Sequence, residues 1–100
     1  MERGEQWMES VWLRCKVLPG MFSEERLVII ERPNGGEIVS FLVDKGLVEV
    51  AQMPEHGRSV DGRLRVQASQ RDSRVNVMLP VSTAEFGRVL SVPSELVAAI

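Results

Sequence analysis

The chain is short of nearly every residue type that announces chemistry. Its 100 residues include one cysteine, one histidine and no tyrosine, and aromatic residues make up 5%. A lone Cys15 excludes an intramolecular disulfide and a cysteine-built zinc cage. A lone His56 excludes every metal motif that needs a histidine pair and leaves Cys15 one conceivable base. No glycine-rich loop precedes a helical pattern, so the signature of a phosphate cradle is missing. No apolar run approaches the ~20 residues that span a bilayer, and no basic, apolar, small-residue leader opens the chain. The expectation is a cytoplasmic protein with no cofactor, no metal and no enzymatic activity.

What is present is ordinary globular material, with 44% hydrophobic and 26% charged residues. One hundred residues make one domain of typical small size. Twelve basic residues against fourteen acidic ones give a net charge of −2 and a pI of about 5.4. A dedicated nucleic-acid binder has a domain pI above about 9, so only a local basic patch is left for such a role. Ten of the twelve basic residues are arginine.

Residues 1–10 are polar and unpatterned and read as a flexible leader. From Val11 the pattern has period two: Leu13, Cys15 and Val17 share one side, and Trp12, Arg14 and Lys16 the other, a half-buried strand that stops at Pro19-Gly20. Cys15 is thereby a small hydrophobe in a core. Residues 26–31 and 38–43 are rich in strand formers and flank an Asn34-Gly35 pair, the signal of a hairpin. Residues 52–62, with Pro54, Gly57 and Asp61-Gly62, form the most loop-like stretch. Leu64, Val66 and Ala68, then Val75, Val77 and Leu79, alternate with polar residues as two further strands. Residues 88–92 make another, and residues 96–100 close the chain as a short helical turn or a last β pairing. No run of ten residues has helical period. The class is all-β: a small five- or six-stranded antiparallel barrel or sandwich spanning residues 11–100.

The two halves read alike. Residues 13–17 match 64–68, residues 26–30 match 74–78, and residues 41–48 match 90–97, which allows two fused three-stranded repeats over 13–48 and 64–97. Within the second half, Gly87-Arg88-Val89-Leu90-Ser91-Val92-Pro93-Ser94-Glu95-Leu96 resembles the Gly-Arg-Val-x-x-Pro-x-Glu-Leu stretch of swapped-hairpin transition-regulator DNA-binding domains. The resemblance covers ten residues, has one residue more between Val89 and Pro93, and stands at the end of the chain rather than near its start. On the residues alone it is a strand followed by a Pro-initiated turn, and no family is assigned from it.

Three constellations are candidates for function. The adjacent carboxylates Glu24 and Glu25 do not make an acid–base pair, because neighbours on a strand point to opposite faces. An acid–base pair assembled by the fold from distant carboxylates such as Asp44 and Glu85 stays open, though nothing in the sequence points to it. The first half holds more apolar residues than one core face uses. With Leu27 and Ile29 inward, Val28 and Ile30 point outward, as do Ile38, Leu42 and Trp12. This patch predicts a protein-interaction surface, most simply a homodimer interface. The leader with Trp7, a loop or the C-terminal segment is the alternative cover for it. The competing constellation is a basic face of Arg14, Lys16, Arg63 and Arg65 beside Trp12, suited to single-stranded nucleic acid on a small barrel. Pairing with Glu31, Glu49 or Asp72 would neutralise it. A third reading is a small-molecule pocket near Met21, Phe22 and His56.

Overall fold

The computed structural model describes residues 9–31, 38–71, 74–83 and 87–100. Among these residues the elements are eight strands and two 3₁₀ turns: β1 (Glu9–Pro19), β2 (Glu25–Glu31), β3 (Ile38–Asp44), a turn at Lys45–Leu47, β4 (Val48–Val50), β5 (Val60–Arg71), β6 (Arg74–Thr83), β7 (Gly87–Pro93), a turn at Ser94–Leu96 and β8 (Val97–Ala99). All the described pairings are antiparallel. The fold is all-β, as the alternation predicts. It has eight strands rather than five or six because β4 and β8 are three residues each, too short to show a period. Among the described residues, no helix is long and apolar enough to cross a membrane.

The chain forms two compact units, Arg14–Leu64 and Met1–Leu13 with Arg65–Ile100, here called the first and second. Strands β1 and β5 are long enough to serve both. In the first unit the strand order is β3, β2, β1, β5, β4; in the second it is β7, β6, β5, β1, β8. Each unit therefore contains strand, strand, strand, 3₁₀ turn, strand, in the same pairing scheme. The turns agree in detail. Asp44 before one and Pro93 before the other have φ −66°, ψ 140° and φ −65°, ψ 148°; Val48 and Val97 after them are equally extended. Asp44 adds a cap, its Oδ2 accepting from Gly46 N at 2.8 Å, which Pro93 has no side chain to provide.

Each core is the buried face of its own strands. In the first unit it holds Val17, Val28, Ile30, Val39, Phe41, Val43 and Leu64; in the second, Leu13, Val66, Val75, Val77, Leu79, Leu90 and Val92. β-Branched and aliphatic side chains on alternate positions give this face and the strands together.

Three expectations are corrected. β1 begins at Glu9, inside the stretch read as leader; residues 1–8 lie outside the described set. Asp61-Gly62 is no turn but the start of β5, with Gly62 opposite Val50. Its glycine serves close approach: a Cβ there would lie 2.7 Å from Val17 Cγ2 and 2.9 Å from the Glu49 carbonyl oxygen. The third correction concerns β2. Val28 and Ile30 are wholly buried, and it is Leu27 and Ile29 that face outward, half-buried. Residues 27–30 are apolar on both faces, so alternation within β2 carries no phase. Register supplies it: Val28 lies opposite both Val17 and Phe41, whose own strands alternate unambiguously. A one-residue slip inverts every side chain. In the second unit Val77 pairs with Leu90 as Val28 pairs with Phe41 in the first. The hairpin residues 32–37, the turn residues 72–73 and the residues 84–86, which include Glu85, lie outside the described set.

Candidate interaction surface

On the outer face of the first unit, register sets three leucines in a line. Leu18 of β1 lies opposite Leu27 of β2, and Leu27 opposite Leu42 of β3. The next row is Lys16, Ile29 and Ser40, and the row beyond it in β2 and β3 is Glu31 and Ile38. Ile38 is 59% exposed and Leu42 39%, while Leu18, Leu27 and Ile29 are half-buried. Of the five residues expected at an interface, Ile38 and Leu42 therefore sit on this surface. Val28 and Ile30 sit beneath it in the core, and Trp12 belongs to the second unit, half-buried opposite Ala98. Leu18, Leu27 and Ile29 were missed. The signal that finds them is the odd-numbered burial of β3 combined with the pairing across the hairpin.

The second unit has the same rows with different chemistry. There Ser69, which is buried, and Asn76 and Ser91, which are half-buried, occupy the line that Leu18, Leu27 and Leu42 occupy in the first. Arg74 holds one end of this line, its Nε donating to Ser91 Oγ at 2.9 Å and its Nη2 to the Ser91 carbonyl at 3.0 Å.

Beside the leucine row, the turn between β1 and β2 is apolar and firmly held. Gly20 N donates to the Glu25 carbonyl at 3.1 Å and Glu25 N to the Phe22 carbonyl at 3.0 Å. Arg26 Nη1 donates to the Ser23 carbonyl at 3.2 Å, Lys45 N to the Glu24 carbonyl at 2.8 Å, and Lys45 Nζ pairs with Glu24 Oε1 at 3.4 Å. Met21 and Phe22 at its tip are 78% and 69% exposed. His56 is exposed as well, so the residues suggested for a pocket wall point into solvent.

Two of the four residues of the basic face are paired. Lys16 Nζ donates to Asp61 Oδ1 at 2.6 Å. That hydrogen bond holds the Asp61 carboxyl below the usual carboxylate range and the Lys16 ammonium above its usual value. Arg63 Nη2 and Nε donate to Glu49 Oε1 at 2.8 and 3.2 Å. Glu49 is among the neutralising partners the sequence suggests; Asp61 is not, because Asp61-Gly62 carries a turn signal. Arg14 is exposed in the first unit and Arg65 in the second.

Burial pushes the Cys15 thiol up to about 12, so no thiolate forms near neutral pH. Among the described residues, no three of His, Cys, Asp and Glu gather into a metal-binding group. Comparison with protein-family models, curated proteins and solved structures found no match.

Proposed function

We propose that the chain is a duplicated β module that works as a non-enzymatic protein-interaction domain and associates with itself through the outer face of the first unit. One observation carries this reading. Two units with the same strand order and pairing differ on a corresponding outer row: Leu18, Leu27 and Leu42 in one, Ser69, Asn76 and Ser91 in the other. The fold tolerates the polar version, so the leucines answer to something beyond folding. Apolar rows on a face that a sister unit keeps polar are the mark of a contact surface. The nucleic-acid reading has less behind it, since Lys16 and Arg63 are already paired with Asp61 and Glu49.

The test transplants the second unit's residues into the first, as Leu27→Asn with Leu42→Ser. In sedimentation velocity over a wide concentration range, the parent is expected to dimerise and the variant to remain monomeric, with unchanged far-UV circular dichroism. A variant that associates as tightly as the parent overturns the leucine surface. A parent that is monomeric throughout overturns self-association. Binding of single-stranded nucleic acid that falls steeply with salt and is lost in Arg14→Glu would favour the basic face instead.

A further inference from the structure

Among the described residues, each unit has two edge strands: β3 and β4 in the first, β7 and β8 in the second. An edge strand offers unpaired N–H and C=O groups to any extended chain, and sheets guard such edges with shortness, proline, charge or a bulge. Three of the four are guarded. β4 and β8 are three residues long. β7 contains Arg88, ends in Pro93, and has a register shift against β6 between Met78 and Thr83. β3 has none of these devices. It runs seven residues, Ile-Val-Ser-Phe-Leu-Val-Asp, in unbroken register with β2 from Asp44 opposite Glu25 to Ile38 opposite Glu31. Its single charge is the terminal Asp44. Six uncharged residues without proline or glycine, among them the strand formers Ile38, Val39, Phe41 and Val43, are what a pairing edge requires.

We propose that the open edge of β3 pairs antiparallel with the β3 of a second copy about a twofold axis centred on Leu42, joining two first units into one sheet. This names the mode of the self-association proposed above and rests on it. The occupant is a strand, because only an extended backbone fills a ladder of amide donors and acceptors. A second copy fits because the strand is complementary to itself. About Leu42, Phe41 of one copy lies opposite Val43 of the other, so apolar residues meet on the core side. On the outer side Leu42 meets Leu42, and the row Leu18, Leu27, Leu42 continues into its own image. Asp44 lies opposite Ser40, so no like charges face each other. One twofold contact uses up the β3 edge of both copies, so this pairing does not propagate.

Hydrogen exchange with mass spectrometry, read on peptides covering residues 38–44 across the dimerisation range, tests the pairing. Exchange in this segment is expected to slow at least tenfold as dimer forms. Leu42→Cys is expected to give an interprotomer disulfide on mild oxidation, because opposed residues of an antiparallel pair have Cα atoms about 4.5–5.5 Å apart, within disulfide reach. Cys15 is a silent background, buried and un-ionised. Ser40→Asp, on an exposed position, sets a like charge opposite Asp44 of the second copy and is expected to raise the dissociation constant at least tenfold while the chain stays folded. A dimer whose β3 amides exchange at the monomer rate, and whose Leu42→Cys form does not cross-link, overturns the edge pairing but keeps the surface. Segment 38–44 already protected in dilute monomer shows an edge covered within the chain and also overturns it. A chain monomeric at all concentrations overturns both readings.

Discussion

The first and second units solve the same folding problem with the same strand order, and they diverge where folding does not constrain them. Inside, the two are interchangeable in kind. Ile30 and Leu79, Val28 and Val77, Phe41 and Leu90, and Val43 and Val92 are buried aliphatic or aromatic pairs on corresponding strands. Outside, the row that is leucine in one unit is serine and asparagine in the other. One edge strand is bare while its counterpart has an arginine, a proline and a register shift. The comparison is an internal control. Whatever both units share belongs to the architecture, and whatever one has alone asks for another explanation.

The control breaks most sharply in the core. Ile30→Glu places a carboxylate where the side chain is wholly buried, and Leu79→Glu does the same in the second unit. Both are expected to lose on the order of 4 kcal/mol or more, enough to unfold a small domain. Ile30→Ala and Leu79→Ala are expected to cost about 2–5 kcal/mol each. Urea denaturation followed by circular dichroism measures all four. A folded Ile30→Glu chain would return Ile30 to the outer face and undo the register assigned to β2.

Next is a place where the units differ beneath the surface. Gly62 in β5 lies opposite Val50, the last residue of β4; Val11 in β1 lies opposite Ala99, the last residue of β8. Making the first unit like the second by Gly62→Val would drive a side chain into Val17 and the Glu49 carbonyl. The expected loss is about 1–3 kcal/mol, the usual cost of overpacking. The converse change, Val11→Gly, removes a buried side chain instead and weakens the second unit by cavity formation. A neutral Gly62→Val in the same urea assay would show that the close approach is dispensable.

Smaller still is the cap. Asp44→Ala removes the carboxylate that accepts from Gly46 N, for an expected loss of about 1 kcal/mol. Its counterpart Pro93→Ala removes no side-chain cap and tests whether the 3₁₀ turn depends on one. An Asp44→Ala chain as stable as the parent would show that the hydrogen bond from Gly46 N is dispensable.

How much of this was legible in the sequence follows from where alternation is clean. β1, β3, β5 and β6 place an apolar residue at every second position, so Leu13, Phe41, Leu64 and Val77 were assignable to the core from the chain alone. The 3₁₀ turns were half visible, as Asp44-Lys45-Gly46 and Pro93-Ser94-Glu95 breaks. β2 was not legible in phase, because Leu27, Val28, Ile29 and Ile30 satisfy either face, and a strand that fits both ways is settled only by its neighbours. That ambiguity moved the candidate surface by one residue, from Val28 and Ile30 to Leu27 and Ile29. Gly62 misled in the opposite direction: Asp-Gly is a turn pair when it faces solvent, and a close-packing pair when another strand lies against it.

The smallest expected effect gives the finest comparison. Lys16 and Asp61 of the first unit are matched in the second by Gln67 and Ser10, where Gln67 Nε2 donates to Ser10 Oγ at 3.3 Å. The contact is conserved in place between the units and differs in charge, so only the first unit's version responds to pH. The Asp61 carboxyl, held low by the hydrogen bond from Lys16, stabilises the fold above its unfolded value and loses that contribution as pH falls through the lowered folded one. Lys16, raised by the same bond, contributes below its unfolded value of about 10.4 and loses the contribution as pH rises through the higher folded one. Both groups are exposed, so the effect is small and shrinks further with salt. Lys16→Gln with Asp61→Ser copies the neutral pair into the first unit. It is expected to leave the midpoint in urea near the parent's at pH 7 and to flatten the acid and alkaline limbs of the stability profile. Limbs that stay as steep as the parent's would place the pH dependence on other groups and make the charged pair a solvated replacement for the neutral one.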